Sequence, residues 1–382
     1  MRNQRLIIKL CLLVLLLLVL GLILIFPKAN VYEWIFVYYM SYDNDLNPFG
    51  KVILGDLTKG IVDSKVAVVL QADFTDNKGM KRIALQYSNG KPRRKEYILK
   101  SEDSADENEV RKYLEWVRKK WDAKNYCIVF LDHGGKLNNM CLDLKPFRKH
   151  TENQRFASGK WLSAAETGEI VADFNRKVDG KVRLLFFQQC GRAAIQNLYN
   201  FVDTAEYILS SPLRVDAPNT YYTKTLASVG RDPNVTGEML AKTIMQEDEH
   251  YTLYTLISNK ELKKLPEKLR SVLKSFGQKS RLNRPDLSPC LFEYEGEKFY
   301  DMMHYLQALS SANNDAAGNE LSSFFNWCQN DLIVGKSFKG PESSYSGLSI
   351  YVPSSNNAIG RYSFLSLYKQ TDLEHIIKLM FK

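Results

Sequence analysis

The sequence predicts an α/β fold in which a mostly parallel sheet is flanked by helices, with a helical C-terminal extension. Three observations carry this. Apolar runs at 34–40 (WIFVYYM), 66–71 (VAVVLQ), 126–132 (YCIVFLD) and 182–188 (VRLLFFQ) have the length of strands. They are nearly continuous rather than alternating, the pattern of strands covered on both faces. Amphipathic stretches at 107–121 and 163–177 lie among them, and strand–helix–strand alternation at this spacing makes parallel neighbours.

From the N-terminus, the first element is an uninterrupted apolar stretch at 10–26, LCLLVLLLLVLGLILIF. Its 17 residues span about 25 Å as a helix, and Leu6, Ile7 and Ile8 extend it toward the roughly 30 Å of a bilayer's hydrocarbon. A cleaved signal peptide has a shorter apolar core and a small-residue cut site, whereas Pro27-Lys28-Ala29-Asn30 follows here. Residues 1–28 are therefore read as an uncleaved transmembrane anchor. Arg2, Arg5 and Lys9 keep the N-terminus inside, so the chain from about residue 28 is expected on the outer side of the cytoplasmic membrane. Residues 30–235 are expected to hold the sheet, with a further strand at 206–210 and a Pro-containing loop to Tyr222. The stretch 140–160 has weak periodicity and reads as an exposed loop. Residues 236–382 are expected to form a helical region, with patterns at 237–246, 260–276, 300–310 and 316–330 and one late strand at 348–352.

Composition excludes several functions. The net charge of +9 is scattered among acids, as where Glu102, Asp103, Asp106 and Glu107 follow the basic residues of 91–100. This is a solvated surface rather than a nucleic-acid stripe. No H-E-x-x-H, C-x-x-C or Gly-rich phosphate loop is present, which argues against metal-hydrolase, redox and nucleotide chemistry. Apart from Cys11 in the apolar stretch there are five cysteines, Cys127, Cys141, Cys190, Cys290 and Cys328, and an odd number leaves one thiol unpaired in a monomer. A free thiol in an exported protein fits a nucleophile; the alternative is that all five are reduced and mostly buried.

In an open parallel sheet the site lies outside the carboxyl ends of the strands. Two of the expected strands run into His133-Gly134-Gly135 and Gln189-Cys190-Gly191, a histidine and a thiol in neighbouring βα units. A thiol becomes a strong nucleophile when oriented near a histidine, and hydrolysis also needs backbone N–H groups aimed at the developing oxyanion. Gly134, without a Cβ, lets its N–H approach a carbonyl closely. Asp43, Asn44 and Asp45 follow the first strand, where they either shape a turn or bind calcium; the turn is the expected role. His150, His250, His304 and His375 show no metal-like spacing.

Three segments carry a resemblance: WIFVYYMSYDNDLN at the first strand, YCIVFLDHGG before the histidine, and RLLFFQQC at the thiol. AEYILSS and GLSIYVP add weaker matches. On these the sequence resembles the clostripain-like cysteine peptidases, relatives of caspases, gingipains and legumain, over about residues 33–355. The resemblance implies a caspase-like catalytic domain, a His133/Cys190 dyad, and an oxyanion hole from the backbone N–H groups of Gly134 and Cys190. It implies an endopeptidase working through a thioester acyl-enzyme on a protein or peptide substrate, anchored to the membrane by its N-terminal helix, with no nucleic-acid partner. Such peptidases often cut after Arg or Lys and mature by cutting a loop between the His and Cys segments, which makes Lys145, Arg148, Lys149, Arg155 and Lys160 candidate self-processing sites. Some depend on calcium, so no cofactor is certain and calcium alone stays open.

One departure bears on specificity. Two residues before the nucleophile the family has an Asp that neutralises a basic substrate side chain, and this sequence has Gln188. A neutral amide there weakens recognition of a basic side chain, because a buried guanidinium without a partner is costly. Arg192 and Arg214 then become candidates to serve an acidic side chain, or are surface charges, and Asp216 is the only acid of the loop 210–222. The same departure motivates the alternative function, a peptidase-like binding module without activity.

Overall fold

The computed structural model describes residues 31–75, 79–101, 103–144, 159–285, 290–339 and 344–382. The expected anchor lies outside the described residues, as do Lys145, Arg148, Lys149 and Arg155. Among the described residues no helix is long and apolar enough to cross a membrane. Tyr32–Lys382 forms one compact unit.

The strands are β1 (Tyr32–Tyr42), β2 (Val66–Phe74), β3 (Lys81–Ser88), β4 (Lys91–Ile98), β5 (Ala123–Leu131), β6 (Asn139–Asp143), β7 (Lys160–Ser163), β8 (Lys181–Gln188), β9 (Tyr207–Ser210), β10 (Leu253–Ser258), β11 (Phe292–Tyr294), β12 (Glu297–Asp301), β13 (Ile333–Phe338) and β14 (Ser349–Tyr351). Nine of them build one sheet in the order β13-β10-β9-β8-β5-β1-β2-β3-β4. Its centre, β2-β1-β5-β8-β9, is parallel. Antiparallel pairs finish it at both sides, β3 and β4 on one and β10 and β13 on the other. β11, β12 and β14 form a small second sheet, and β6 pairs with β7.

The continuous apolar runs have the expected cause. Ile35, Val37 and Tyr39 of β1 pack into one core and Trp34, Phe36 and Tyr38 into another on the opposite face. Helices supply both covers, and two of them have ends their sequences dictate. Asp106 caps Glu107–Lys120 by accepting from Asn108 N, with Glu107 and Glu109 in the first turn and Arg118, Lys119 and Lys120 in the last, all complementing the helix dipole. Ser163 caps Ala164–Lys177 through Glu166 N.

The region expected to be helical supplies its one expected late strand as β14 and, in addition, β10 to β13, of which β10 and β13 extend the main sheet. The β3–β4 hairpin is likewise additional to the expected strands. Its turn is Asn89-Gly90, with φ of 52° and 75°, as the two-residue turn that suits twisted strands requires.

Candidate active site

The register of two neighbouring parallel strands brings the histidine and the thiol together. Leu131 of β5 pairs with Gln188 of β8, and His133 and Cys190 each follow their member of that pair by two residues. Both therefore leave the sheet at its carboxyl end, side by side. Gly134 shows how close the two turns lie: a Cβ on it would fall 1.9 Å from the Cys190 carbonyl oxygen. Gly191 has φ +66°, and a Cβ there would meet the Phe292 ring at 2.3 Å, so the turn after the thiol needs glycine on both counts.

The imidazole of His133 is partly exposed, and its Nε2 lies 2.7 Å from Asp45 Oδ1. Asp45 comes from the turn after β1. That turn is fixed by Asn44, whose Oδ1 accepts from Leu46 N at 2.9 Å and whose Nδ2 donates to Ser41 O, Asp132 Oδ1 and Leu142 O. The turn expected of Asp43-Asn44-Asp45 is therefore present, and Asn44 ties it to the residue before His133. Asp132 itself is buried, which pushes its carboxyl well up despite the bonds from Asn44 and the His133 and Leu142 amides.

Cys190 Sγ donates toward Val215 O at 3.7 Å and accepts from Val215 N at 3.4 Å. Burial pushes the thiol up; the bond to the Val215 backbone and the charges of Arg192 and Arg214 act in the opposite direction. Arg214 and Asp216, both exposed, flank Val215. The backbone around Gly134 forms an antiparallel bridge with Met140 in which Gly135 N donates to Asn139 O and Cys141 N to His133 O. In that pattern the Gly134 N–H takes no part.

Arg192, read from sequence as a substrate ligand or a surface charge, is neither: it is fully buried. Its guanidinium donates to Cys190 O at 3.2 Å, Asn139 O at 2.7 Å, Gly135 O at 2.7 Å and Lys136 O at 3.1 Å. Burial lowers it to about 10, so it remains charged at neutral pH. Gln189 adds a second tie, from its Nε2 to His133 O at 3.0 Å. Gln188 is buried in a polar network. Its Nε2 donates to Tyr222 OH at 2.6 Å and to Asn219 Oδ1, and its Oε1 accepts from Tyr221 OH at 3.1 Å. Asn219 passes the network to the buried Asp248 at 2.6 Å. The side-chain amide of Gln188 is thus held by the protein's own groups. Lys160 stands in β7 with its ammonium on Asp103 Oδ2 at 2.7 Å.

The only candidate cation ligands found among the described residues are Asp43, Asp73 and Asp143, all buried. Burial first, then Asp143 and Asp43, push the Asp73 carboxyl up to about 8.

Gly134→Ala tests the contact between the two turns. Its Cβ would strike backbone, which cannot swing away as a side chain can, so either His133 or Cys190 must shift. We expect a loss of about 2 kcal/mol in stability and of about a hundredfold in kcat/KM, read by thermal melting and by peptide hydrolysis. An active variant of unchanged melting temperature would show that the turns do not touch.

Comparison with known proteins agrees with this fold. The family model described as the clostripain family of C11 peptidases matches residues 38–376. An inactive zymogen C11 protease from Parabacteroides distasonis superposes with a TM-score of 0.64 at 16% identity, covering 90% of this chain and 99% of that one. A secreted C11 cysteine protease from Bacteroides thetaiotaomicron, in complex with an irreversible peptide inhibitor, gives 0.65 at 16% identity with the same coverage. The structure of such a protease from that organism, called iotapain, gives 0.64 at 15%, covering 89% and 99%. No curated protein matches the chain. With a family match over most of its length and a shared fold, the chain belongs to the clostripain family of C11 cysteine peptidases.

Proposed function

We propose that the protein is an endopeptidase using a His133/Cys190 dyad, displayed outside the cytoplasmic membrane on an N-terminal anchor. The observation that carries the dyad is the β5–β8 register, which delivers both side chains to the same end of adjacent strands. The Cys190 sulfur attacks the substrate carbonyl while its proton passes to His133. The tetrahedral oxyanion is met by the N–H groups of Gly134 and Cys190. The C–N bond breaks, the amine leaves with the proton from His133, and a thioester remains. Water, deprotonated by His133, then splits the C–S bond, releasing the acid and restoring the thiol. Asp45 orients the imidazole and stabilises it when charged.

The test uses the full chain in detergent and a fluorogenic peptide library varied at the residue before the cut, with and without calcium. Hydrolysis that disappears in Cys190→Ala supports the reading, and the library reports what a pocket with Gln188 in place of Asp accepts. Equal silence of both folded proteins would favour the second reading, a binding module. The observation behind that alternative is the bonding of Cys190 Sγ to the Val215 backbone.

A further inference from the structure

We propose that one face of β4 and the adjoining end of the helix Glu107–Lys120 form a docking surface for the anionic phospholipid headgroups of the membrane in which the chain is anchored. β4 is the last strand of the main sheet, paired with β3 alone. Side chains two apart share a face, so Lys91, Arg93, Lys95 and Tyr97 stand in one row. The Tyr97 ring lies 5.8 Å from that of Trp116, which places the row on the side of the helix. Lys120, in the helix's last turn, joins it: its ammonium is 4.7 Å from the centre of the Tyr97 ring and 5.8 Å from that of Trp116. Lys95 lies 5.2 Å from the same Tyr97 ring.

Two features set this surface apart. Lys91, Arg93, Lys95 and Lys120 are all exposed, and none of them makes a salt bridge among the described residues. The neighbouring carboxylates are already engaged, Glu96 with Arg94 and Glu115 with Arg118 and Lys119. Like charges left together in this way repel one another and favour an anionic partner. The second feature is a row of half-buried rings beside them. Tyr97 meets Trp116 at 5.8 Å, Trp116 meets Trp121 at 6.2 Å, and Trp121 meets Tyr32 at 6.0 Å. Half-buried Trp and Tyr beside Lys and Arg are what a surface at the headgroup level presents.

The chain itself points to the occupant. Tyr32 ends the row of rings and begins the compact unit, and the apolar stretch stops at Phe26, six positions earlier. Six residues reach at most about 22 Å, and the headgroup layer takes up about 5–8 Å of that. A nucleic acid or an acidic protein would have to be recruited to these charges, whereas a bilayer surface lies within reach of the tether. Each cation near an anionic surface strengthens association about fivefold. Contact here would set which way the carboxyl ends of the strands, and with them His133 and Cys190, are turned relative to the membrane. The proposal rests on the anchor in the reading above and not on the peptidase activity.

The experiment reconstitutes the full chain in nanodiscs of phosphatidylcholine alone or with about one-third phosphatidylglycerol, and maps lysine acetylation by an N-hydroxysuccinimide ester with mass spectrometry. We expect phosphatidylglycerol to slow acetylation of Lys91, Lys95 and Lys120 about fivefold or more. Sodium chloride at about 0.5 M, which shortens the Debye length to about 4 Å, should restore it. Lys51, exposed in the helix that follows β1 at the sheet's other end, should react alike in both discs. A Lys91→Glu/Arg93→Glu/Lys95→Glu protein should lose the protection of Lys120. Equal acetylation of the three lysines in both discs would overturn the proposal, as would protection by a nucleic-acid duplex but not by the anionic lipid. So would a triple variant of unchanged circular dichroism in which Lys120 stays as protected as in wild type. Should that variant not fold, the salt dependence of the wild type decides. Retention of the chain on phosphatidylcholine discs in high salt tests the anchor separately. If the discs do not hold it, the same footprint is read with vesicles of the two compositions, so failure of the anchor is distinguishable from failure of the surface.

Discussion

His133→Ala should lower kcat/KM for peptide hydrolysis by about a thousandfold while leaving the fold intact. The side chain is partly exposed at the end of β5, so its removal opens no cavity in the core. What is lost is proton transfer at both steps, which is typically worth about 10²–10⁴ in rate. Asp45→Asn should cost far less. Its carboxylate side chain is 78% exposed, and an exposed pair contributes at most about 1 kcal/mol, or roughly fivefold in rate. The state of Cys190 supplies an independent check by pH. Burial raises the thiol above its ordinary value, so the free enzyme carries little thiolate at neutral pH. The rate of alkylation by iodoacetamide should therefore climb about tenfold per pH unit through the neutral range and into the alkaline one. A flat, fast rate near pH 6 would mean a preformed thiolate–imidazolium pair and would sink this account of the resting site.

Arg192→Ala should be the most destabilising substitution at the site, costing about 4 kcal/mol. The guanidinium donates to four backbone carbonyls, of which Asn139 O and Lys136 O also accept from backbone amides, and a hydrogen bond to a charged group is worth about 1.5–3 kcal/mol. Relief of the buried charge offsets part of the sum, which is why the expected loss is less than four such bonds. Arg192→Lys should recover only a minority of it, because an ammonium is a point donor and cannot reproduce the planar fork. Thermal melting measures the stability, and hydrolysis by the folded fraction measures the site. Three of the four carbonyls, Gly135, Lys136 and Asn139, belong to the turn after His133, and the fourth is that of Cys190. Activity should therefore fall beyond what unfolding explains. A variant as stable as wild type would show that the guanidinium is not the tie between the two turns.

The sheet's parallel centre was legible because burial on both faces leaves a sequence signature, an unbroken apolar run. His133 and Cys190 were legible for a related reason: each stands where such a run stops. Other parts carry weaker marks. β4 is a polar edge strand and β3 beside it has only a short apolar centre, and their one clear sign is the Asn89-Gly90 dipeptide, a hairpin signal by itself. β10 (LYTLIS) is an apolar run like the others and could have been found by length. Arg192 is different in kind. Its partners are backbone carbonyls, which have no residue identity, so nothing in the spelling distinguishes it from a surface arginine. Gln188 is visible in the sequence as the end of an apolar run, but the tyrosines and Asn219 that hold its amide lie 31 to 34 residues away on a separate loop and helix start. Asp45 was read as turn-forming, and its pairing with His133 follows only once β1 and β5 are known to be neighbours.

The turn after Cys190 is held from a distant part of the chain. Ala193 O accepts from Ser349 N at 2.9 Å, Ala194 bridges to the same residue, and the Phe292 ring fills the space that Gly191 leaves. During synthesis these supports emerge from the ribosome long after β5 and β8 have done so. A nascent chain that has not reached Ser349 has Cys190 without the strand that seats its turn. A product truncated before Ser349 thus carries His133 and Cys190 on an unfinished frame.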